Sequence, residues 1–389
     1  MREVNRSLVL AVVKEGGRVS RASIARATTL AKPTVSAIVD ELIADGLVRE
    51  IGTGTTATSG GRPPIMLEYN ASSQLVLGVH IGARRTTVAV ADGSGAESAR
   101  RQFDTPVSPA ASATEALTVI AEKARAVLPA GAELAAVGAV LPGLTDFHRG
   151  VCLLAPNLGW RDVPVAELLT AELDAPVHVH NAGQAAAVAE NLEGVGGRVD
   201  DLALLYAGTG LSAGVLSGGR VLHGTGGTAG EIGHCRVPGG TEPCKCGNVG
   251  CLETVASGPA LVRFAKRALA GGAHSVLTDA CEATDVAEAA RGGDPVAAGA
   301  VAEVGRNLGL AASWVVNAYN PAVLVFGGGL AAISDLLLPH MTQMAGEFTL
   351  GPAATEIRVS QLGPDAEVRG AVLLALQQSE TFYRVVFRA

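Results

Sequence analysis

Apolar positions recur at helical spacing over residues 3–14 (EVNRSLVLAVVK), and the pattern stops at Gly16-Gly17. Ser20 then offers an N-cap for a second helix over 21–27, with Ile24 turned inward. A turn over 28–31 leads to Pro33, placed where a first-turn proline is tolerated. A third helix runs from there to about Asp45, with Gly46 past its end. Its residues Val35, Ile38, Val39, Leu42 and Ile43 follow the i, i+3, i+4, i+7, i+8 rule. The opposite face of its first turn carries Lys32, Thr34, Ser36 and Ala37, short or cationic side chains suited to the major groove and its flanking phosphates. Residues 47–51 have a strand pattern, the Gly/Thr/Ser-rich stretch 52–61 reads as a wing tip, and Arg62-Pro63-Pro64 opens the returning strand. An arginine at a wing base can reach a phosphate or the minor groove. Arg21, Lys32, Thr34, Ser36 and Arg62 are therefore the candidate DNA contacts. A three-helix protein-interaction domain is the competing reading, because amphipathic helices alone do not specify DNA.

From Gln74 the pattern changes. Short apolar or alternating runs at 75–81, 86–92, 134–141, 177–179 and 202–206 are mixed with longer Ala-rich helices, which predicts an α/β body. Two Gly-containing turns, Gly78-Val79-His80-Ile81-Gly82 and Ala207-Gly208-Thr209-Gly210, follow strands in comparable settings. They predict two related lobes with a cleft between them. The second turn, with Gly214 after it, could admit a phosphate to backbone N–H groups; a tight hairpin is the plainer alternative.

Charge adds a modest asymmetry to this two-part pattern. The chain of 389 residues has a formal charge of -7, yet residues 1–64 hold nine Lys/Arg against six Asp/Glu and the remainder 21 against 31. A mildly basic head on an acidic body fits DNA binding, although ordinary scatter would give the same split. No run of eighteen apolar residues appears, and the N-terminus lacks the apolar core of a signal peptide, so a soluble cytoplasmic protein without membrane attachment is expected.

The strongest local signal is Gly230-Glu231-Ile232-Gly233-His234 followed by Cys244-Lys245-Cys246-Gly247-Asn248-Val249-Gly250-Cys251-Leu252-Glu253. His234, Cys244, Cys246 and Cys251 supply the imidazole and thiolates that zinc takes tetrahedrally, with no open position left, so one structural zinc per chain is expected. Chance reduced cysteines are the alternative. Cys152, Cys235 and Cys281 lack such spacing and are expected to be small core residues.

With these motifs in order, the chain resembles the ROK family (repressors, open reading frames and sugar kinases) over nearly its whole length. The cysteine segment matches the family signature CxCGxxGCxE, and Gly-Glu-Ile-Gly-His matches as well. Leu141-Pro142-Gly143, Pro156-Asn157-Leu158-Gly159-Trp160, Gly208-Thr209-Gly210 and Gly327-Gly328-Gly329 add further agreement. The head ending in Gly60-Gly61-Arg62-Pro63 resembles the family's regulator branch, which free-standing kinases lack. The resemblance implies an actin-like, hexokinase-like pair of lobes with sugar in the cleft. Carried over by motif, the sugar contacts would be Asn157, Asn181, Glu231, His234 and Glu253, whose amides and carboxylates suit hydroxyl recognition. His234 would place one ring nitrogen on zinc and the other on a sugar hydroxyl. Bracing of the zinc loop alone is the other role open to Glu231 and Glu253.

Two departures separate the chain from a kinase. Family kinases carry Asn-Asp-Ala-Asn at the catalytic loop, where the Asp is the general base. Here the loop reads Asn181-Ala182-Gly183-Gln184, so no catalytic residue is expected. The family's Asp-Ile-Gly-Gly-Thr phosphate loop is His80-Ile81-Gly82-Ala83-Arg84. The expected protein is therefore a kinase-dead, sugar-responsive repressor of carbohydrate genes, a homodimer or homotetramer on a pseudo-palindromic double-stranded operator. The expected domains are a winged helix-turn-helix over 1–72, a first α/β lobe over 73–180 completed by a C-terminal helix at about 370–389, and a second lobe over 181–369. An active sugar kinase with a regulatory head, and a regulator controlled by a protein partner without a ligand, are the alternatives.

Overall fold

The structure, a computed structural model, describes residues 1–54, 63–107, 112–351 and 355–379. The head comprises α1 (Arg2–Gly16), β1 (Val19–Ser20), α2 (Arg21–Thr28), α3 (Lys32–Ala44), β2 (Val48–Thr53) and β3 (Ile65–Tyr69). Ser20 caps α2 through its hydroxyl, which accepts from the Ser23 N–H, while the Ser23 hydroxyl accepts from the Ser20 N–H. Pro33 occupies the first turn of α3, and Val35, Ile38, Val39 and Leu42 are buried against Val9, Leu10, Val13, Ile24 and Leu67. Ile43, expected on that face, is only half-buried. The three strands form a small antiparallel sheet in the order β1-β3-β2. Residues 55–62, which include Arg62 and most of the expected wing tip, lie outside the described residues.

The body holds two five-stranded sheets built to one plan. The first runs through β4 (Leu75–Ile81), β5 (Arg85–Asp92), β6 (Glu97–Asp104), β7 (Leu134–Leu141) and β11 (Val177–Asn181), ordered β11-β7-β4-β5-β6. Between β7 and β11 the chain adds a side sheet of β8 (Leu144–Asp146), β9 (Val151–Ala155) and β10 (Trp160–Val163). The second sheet uses β12 (Leu202–Ala207), β13 (Leu211–Ser217), β14 (Arg220–Val221), β15 (Val323–Gly327) and β16 (Glu356–Val359), ordered β14-β13-β12-β15-β16. In each sheet three strands meander antiparallel, and two later strands add in parallel on the far side of the first. Helices must carry those parallel crossovers.

Alternation along β4 sends Leu77, Val79 and Ile81 to one face, where α4 (Ala113–Arg125) and α5 (Val165–Leu173) cover them. The other face, with Val76 and Ala136, meets Val368, Val372 and Ala375 of α11 (Ala366–Ser379), the last helix among the described residues. Gly78 is therefore not part of a turn, as its sequence neighbourhood indicated. It sits in mid-strand because a Cβ there would lie 2.7 Å from the Val372 side chain and 3.0 Å from the Val368 carbonyl.

In the second sheet, Leu202, Leu204, Val323 and Val325 face α6 (Ala182–Leu192) and α11. The opposite face packs on α7 (Gly258–Ala270), α8 (Ala283–Arg291), α9 (Pro295–Tyr319) and α10 (Ser334–Phe348). Thus α6 and α11 lie between the two sheets, and they cross where a Cβ on Gly370 would overlap the Ala185 backbone. The helix expected at about 370–389 begins at Ala366 and packs on the first sheet, and residues 380–389 lie outside the described residues. Among the described residues no helix is long and apolar enough to cross a membrane.

Candidate functional site

Between β14 and α7 the chain runs through residues 222–257 with only two short helical turns, Ile232–His234 and Leu252–Thr254. Local hydrogen bonds hold the cysteine loop closed. The Cys244 N–H donates to the Asn248 carbonyl at 2.8 Å, and the Gly247 N–H donates to the Cys244 carbonyl at 3.0 Å. Gly247 has φ +97°, a conformation that favours glycine, so the chain turns back immediately after Cys246. One ligand atom each from His234, Cys244, Cys246 and Cys251 falls in a group spanning no more than 4.8 Å. His234 Nδ1 is 3.7 Å from Cys244 Sγ, and Cys246 Sγ is 3.7 Å from Cys251 Sγ. Sulfur ligands around a tetrahedral metal with bonds of about 2.3 Å stand roughly 3.7 Å apart. The four side chains can therefore hold a metal ion. Cys152 and Cys281 are buried as expected, whereas Cys235 is exposed.

Beside this loop, Asn157, Asn181, Glu231, His234 and Glu253 line one pocket of about 130 Å³. Asn181 ends β11 and caps α6: its Oδ1 accepts from the Gly183 and Gln184 N–H groups at 2.8 and 3.2 Å. Its Nδ2 donates to the Gly143 carbonyl at 2.8 Å and lies 3.4 Å from Glu231 Oε1. Glu253 Oε2 accepts from the Leu211 N–H at 3.2 Å. Burial, with Glu253 nearby, pushes the Glu231 carboxyl up to about 7. His234 turns Nε2 toward Glu231 Oε2 at 3.8 Å, so one imidazole touches both the cysteine cluster and the pocket.

Ala182 sits on the same wall and brings only a methyl group. Tyr206 and Ser212 also line the pocket, as do Thr209 and Lys245, which the sequence offered only as members of the glycine turn and the cysteine motif. Lys245 Nζ donates to Asn157 Oδ1 at 3.4 Å, joining the cysteine loop to the first lobe. Its position between two ligand cysteines was the signal that would have found it. Gly214 is not at a phosphate loop: a Cβ there would overlap the Gly183 carbonyl, so it serves the approach of β13 to α6. The 208–210 turn instead faces the 327–329 turn, with Gly208 close against Gly329. His80, where the kinases have an acid, is next to last in β4 and outside the pocket lining, and desolvation holds its imidazole below the ordinary range despite Glu367.

In the head, Lys32 is exposed at the start of α3, with Thr34 and Ser36 half-buried. Arg21 forms ion pairs within the head. Its guanidinium donates to Asp40 Oδ1 at 2.8 Å and Glu50 Oε1 at 3.1 Å, tying α2 to α3 and β2.

A family model described as "ROK family" matches residues 76–378. The chain belongs to the ROK family. Among its relatives is a putative xylose repressor from Caldicellulosiruptor sp. (strain Rt8B.4), 30% identical over 98% of both chains. A solved ROK family transcriptional regulator, described as a homologue of the Escherichia coli MLC protein, superposes with a TM-score of 0.84 at 27% identity, covering 97% of this chain and 96% of that one. A ROK family glucokinase from Streptomyces griseus, solved with glucose and AMPPNP, reaches a TM-score of 0.68 at 32% identity. It covers 78% of this chain and 99% of its own. The ROK body is thus common to regulators and kinases, and the two-lobed actin-like plan with it.

Proposed function

We propose that this ROK protein is a sugar-responsive DNA-binding transcriptional regulator, acting as a repressor of carbohydrate genes and lacking kinase activity. The observation that carries the reading is coverage. The relative named a putative xylose repressor aligns over 98% of the chain, head included, whereas the glucokinase structure spans 78%. The proposed domains are a winged helix-turn-helix over 1–72, a first lobe over 73–180 completed by α11, and a second lobe from 181 to the start of α11.

In the cleft, the amides of Asn157 and Asn181 and the carboxylates of Glu231 and Glu253 are assigned to sugar hydroxyls. The cysteine cluster is assigned one structural zinc, held by His234 Nδ1 and the thiolates of Cys244, Cys246 and Cys251. His234 Nε2 is left for the sugar. No side chain at Ala182 can take a proton from a sugar hydroxyl, and the phosphate-loop residues are replaced at His80 and Arg84, so phosphoryl transfer is not assigned.

In the head, α3 is the recognition helix, presenting Lys32, Thr34 and Ser36 to the major groove, with Arg62 reaching the backbone or minor groove. Arg21 braces that helix through Asp40 and Glu50 instead of reading DNA. A homodimer or homotetramer on a pseudo-palindromic operator, working in the cytoplasm, follows from this assignment.

The test is calorimetric titration of the zinc-loaded protein with monosaccharides, amino sugars and their phosphates. Saturable binding of one sugar, lost in Glu231→Ala and accompanied by a change in operator affinity, supports the reading. A protein that binds DNA with equal affinity across the whole panel refutes the sensor role.

A further inference from the structure

A second cavity, of about 380 Å³, shares no lining residue with the cleft among the described residues. It lies where both lobes and the central helices meet. His180 comes from β11 of the first lobe, Leu216 and His223 from the second, Val188 from α6, and Leu374 from α11. Side chains alternate along a strand, so His180 turns away from the cleft that its neighbour Asn181 faces.

His180 is the unusual residue. It is 1% exposed, and among the described residues neither ring nitrogen has a hydrogen-bond partner. Buried polar atoms are almost always satisfied in folded proteins, so an imidazole that borders a cavity, with both nitrogens unpaired and covered by neighbouring atoms, calls for a partner from that cavity. Its neighbours are fixed. Phe147 stacks parallel on His223 at 4.4 Å and lies 4.8 Å from His180. His223 is itself anchored, with Nδ1 3.0 Å from Gln184 Oε1. The pair cannot collapse onto His180 without breaking that arrangement.

The lining also states what would fit. Among the described residues the lining holds no carboxylate, and the one formal cation there, Arg220, is exposed. Burial and the neighbouring His223 and His178 keep the His180 ring neutral, with one nitrogen donating and the other accepting. The glutamines 377 and 378 at the mouth have the same dual capacity. A hydroxyl group likewise donates and accepts, and the volume lies in the range of ordinary small-molecule sites, roughly 300–1,000 Å³. We propose that this cavity is a second binding site, separate from the cleft, for a small, neutral, polyhydroxylated molecule held through His180.

The experiment uses the full-length, zinc-loaded chain carrying Glu231→Gln and Asn157→Ala to silence the cleft. It is titrated with D-xylose, D-glucose and myo-inositol, followed by calorimetry and by the ¹⁵N resonances of the His180 ring. The expected result is saturable binding of at least one probe with a shift of those resonances. His180→Phe should weaken that binding at least tenfold; Leu374→Trp, which fills the cavity from the α11 side, should do the same if His180→Phe does not fold. Absence of saturable binding by all three probes, a His180 ring that responds to none of them, or binding unchanged in the cavity variants would overturn the proposal and leave the cavity to water.

Discussion

His234 Nε2 lies 3.8 Å from Glu231 Oε2, on the pocket side of the ring whose other nitrogen faces the cysteines. A metal bound at Nδ1 fixes the tautomer and the ring plane, leaving the Nε2 proton aimed at the carboxylate or at a ligand between them. Metal and ligand affinity should therefore be coupled through one imidazole.

Cys246→Ser should reduce zinc, read by atomic absorption, to well below one per chain. The same variant should lose at least tenfold in sugar affinity, in keeping with the cost of disturbing groups that position a ligand. Full zinc retention would remove Cys246 from the ligand set, and unchanged sugar affinity in a zinc-free protein would break the coupling.

Phosphoryl transfer should be absent. Losing a general base alone costs on the order of 100- to 10,000-fold in rate. A coupled assay for ADP release should therefore find no sugar-dependent turnover above background. Ala182→Asp should leave it near background, because His80 and Arg84 still occupy the phosphate loop. Turnover by the unaltered chain that disappears in Glu231→Ala would establish a kinase instead.

On DNA, Lys32→Ala should weaken operator binding and reduce the slope of log K against log salt by about 0.9, the contribution of one phosphate contact. Arg21→Ala should behave differently. Its ion pairs have partly exposed partners, so the head should lose at most ~1 kcal/mol of stability with the salt slope unchanged. Anisotropy titrations at several salt concentrations separate the two, and a reduced slope for Arg21→Ala would restore it as a DNA contact.

Stability should fall in mild acid on account of His180. Burial, with His223 and His178 close by, lowers its pKa from 6.5 to about 3. As pH drops, the unfolded chain takes up this proton first, so the stability present above about 6.5 is lost progressively toward 3. The slope from this group reaches ~1.4 kcal/mol per pH unit. Urea denaturation at pH 7.5, 6.5 and 5.5 should show a shallower decline in His180→Phe than in the parent protein; equal slopes would mean that His180 is protonated in the fold.

The head was legible because each of its signals is local. Ser20 and Pro33 mark helix starts by satisfying or lacking specific N–H groups, and the α3 apolar stripe needs only helical periodicity. The cysteine loop was legible for the same reason, since its ligands fall within a short stretch. Asn157 and Asn181 reached the pocket list only through family motifs, because nothing near either residue marks a cleft. What escaped depends on contacts between distant segments. Gly78 looked like a turn residue because the helix that crowds it is almost three hundred positions away. Arg21 looked available until Asp40 and Glu50 were placed beside it. His180 carried no signal at all, since its isolation is a property of the cavity around it.

The placement of α11 bears on how the protein is made. Val76, Ala89 and Ala136 have one face that Val368, Val372 and Ala375 close, so the lobe begun at residue 75 stays open until α11 has left the ribosome. The head has its core within residues 9–67 and needs none of this. During synthesis the part assigned to DNA is complete long before the part assigned to sugar. A chain cut short before Ala366 would keep its head and lose the cover of its first sheet, a regulator without a working sensor.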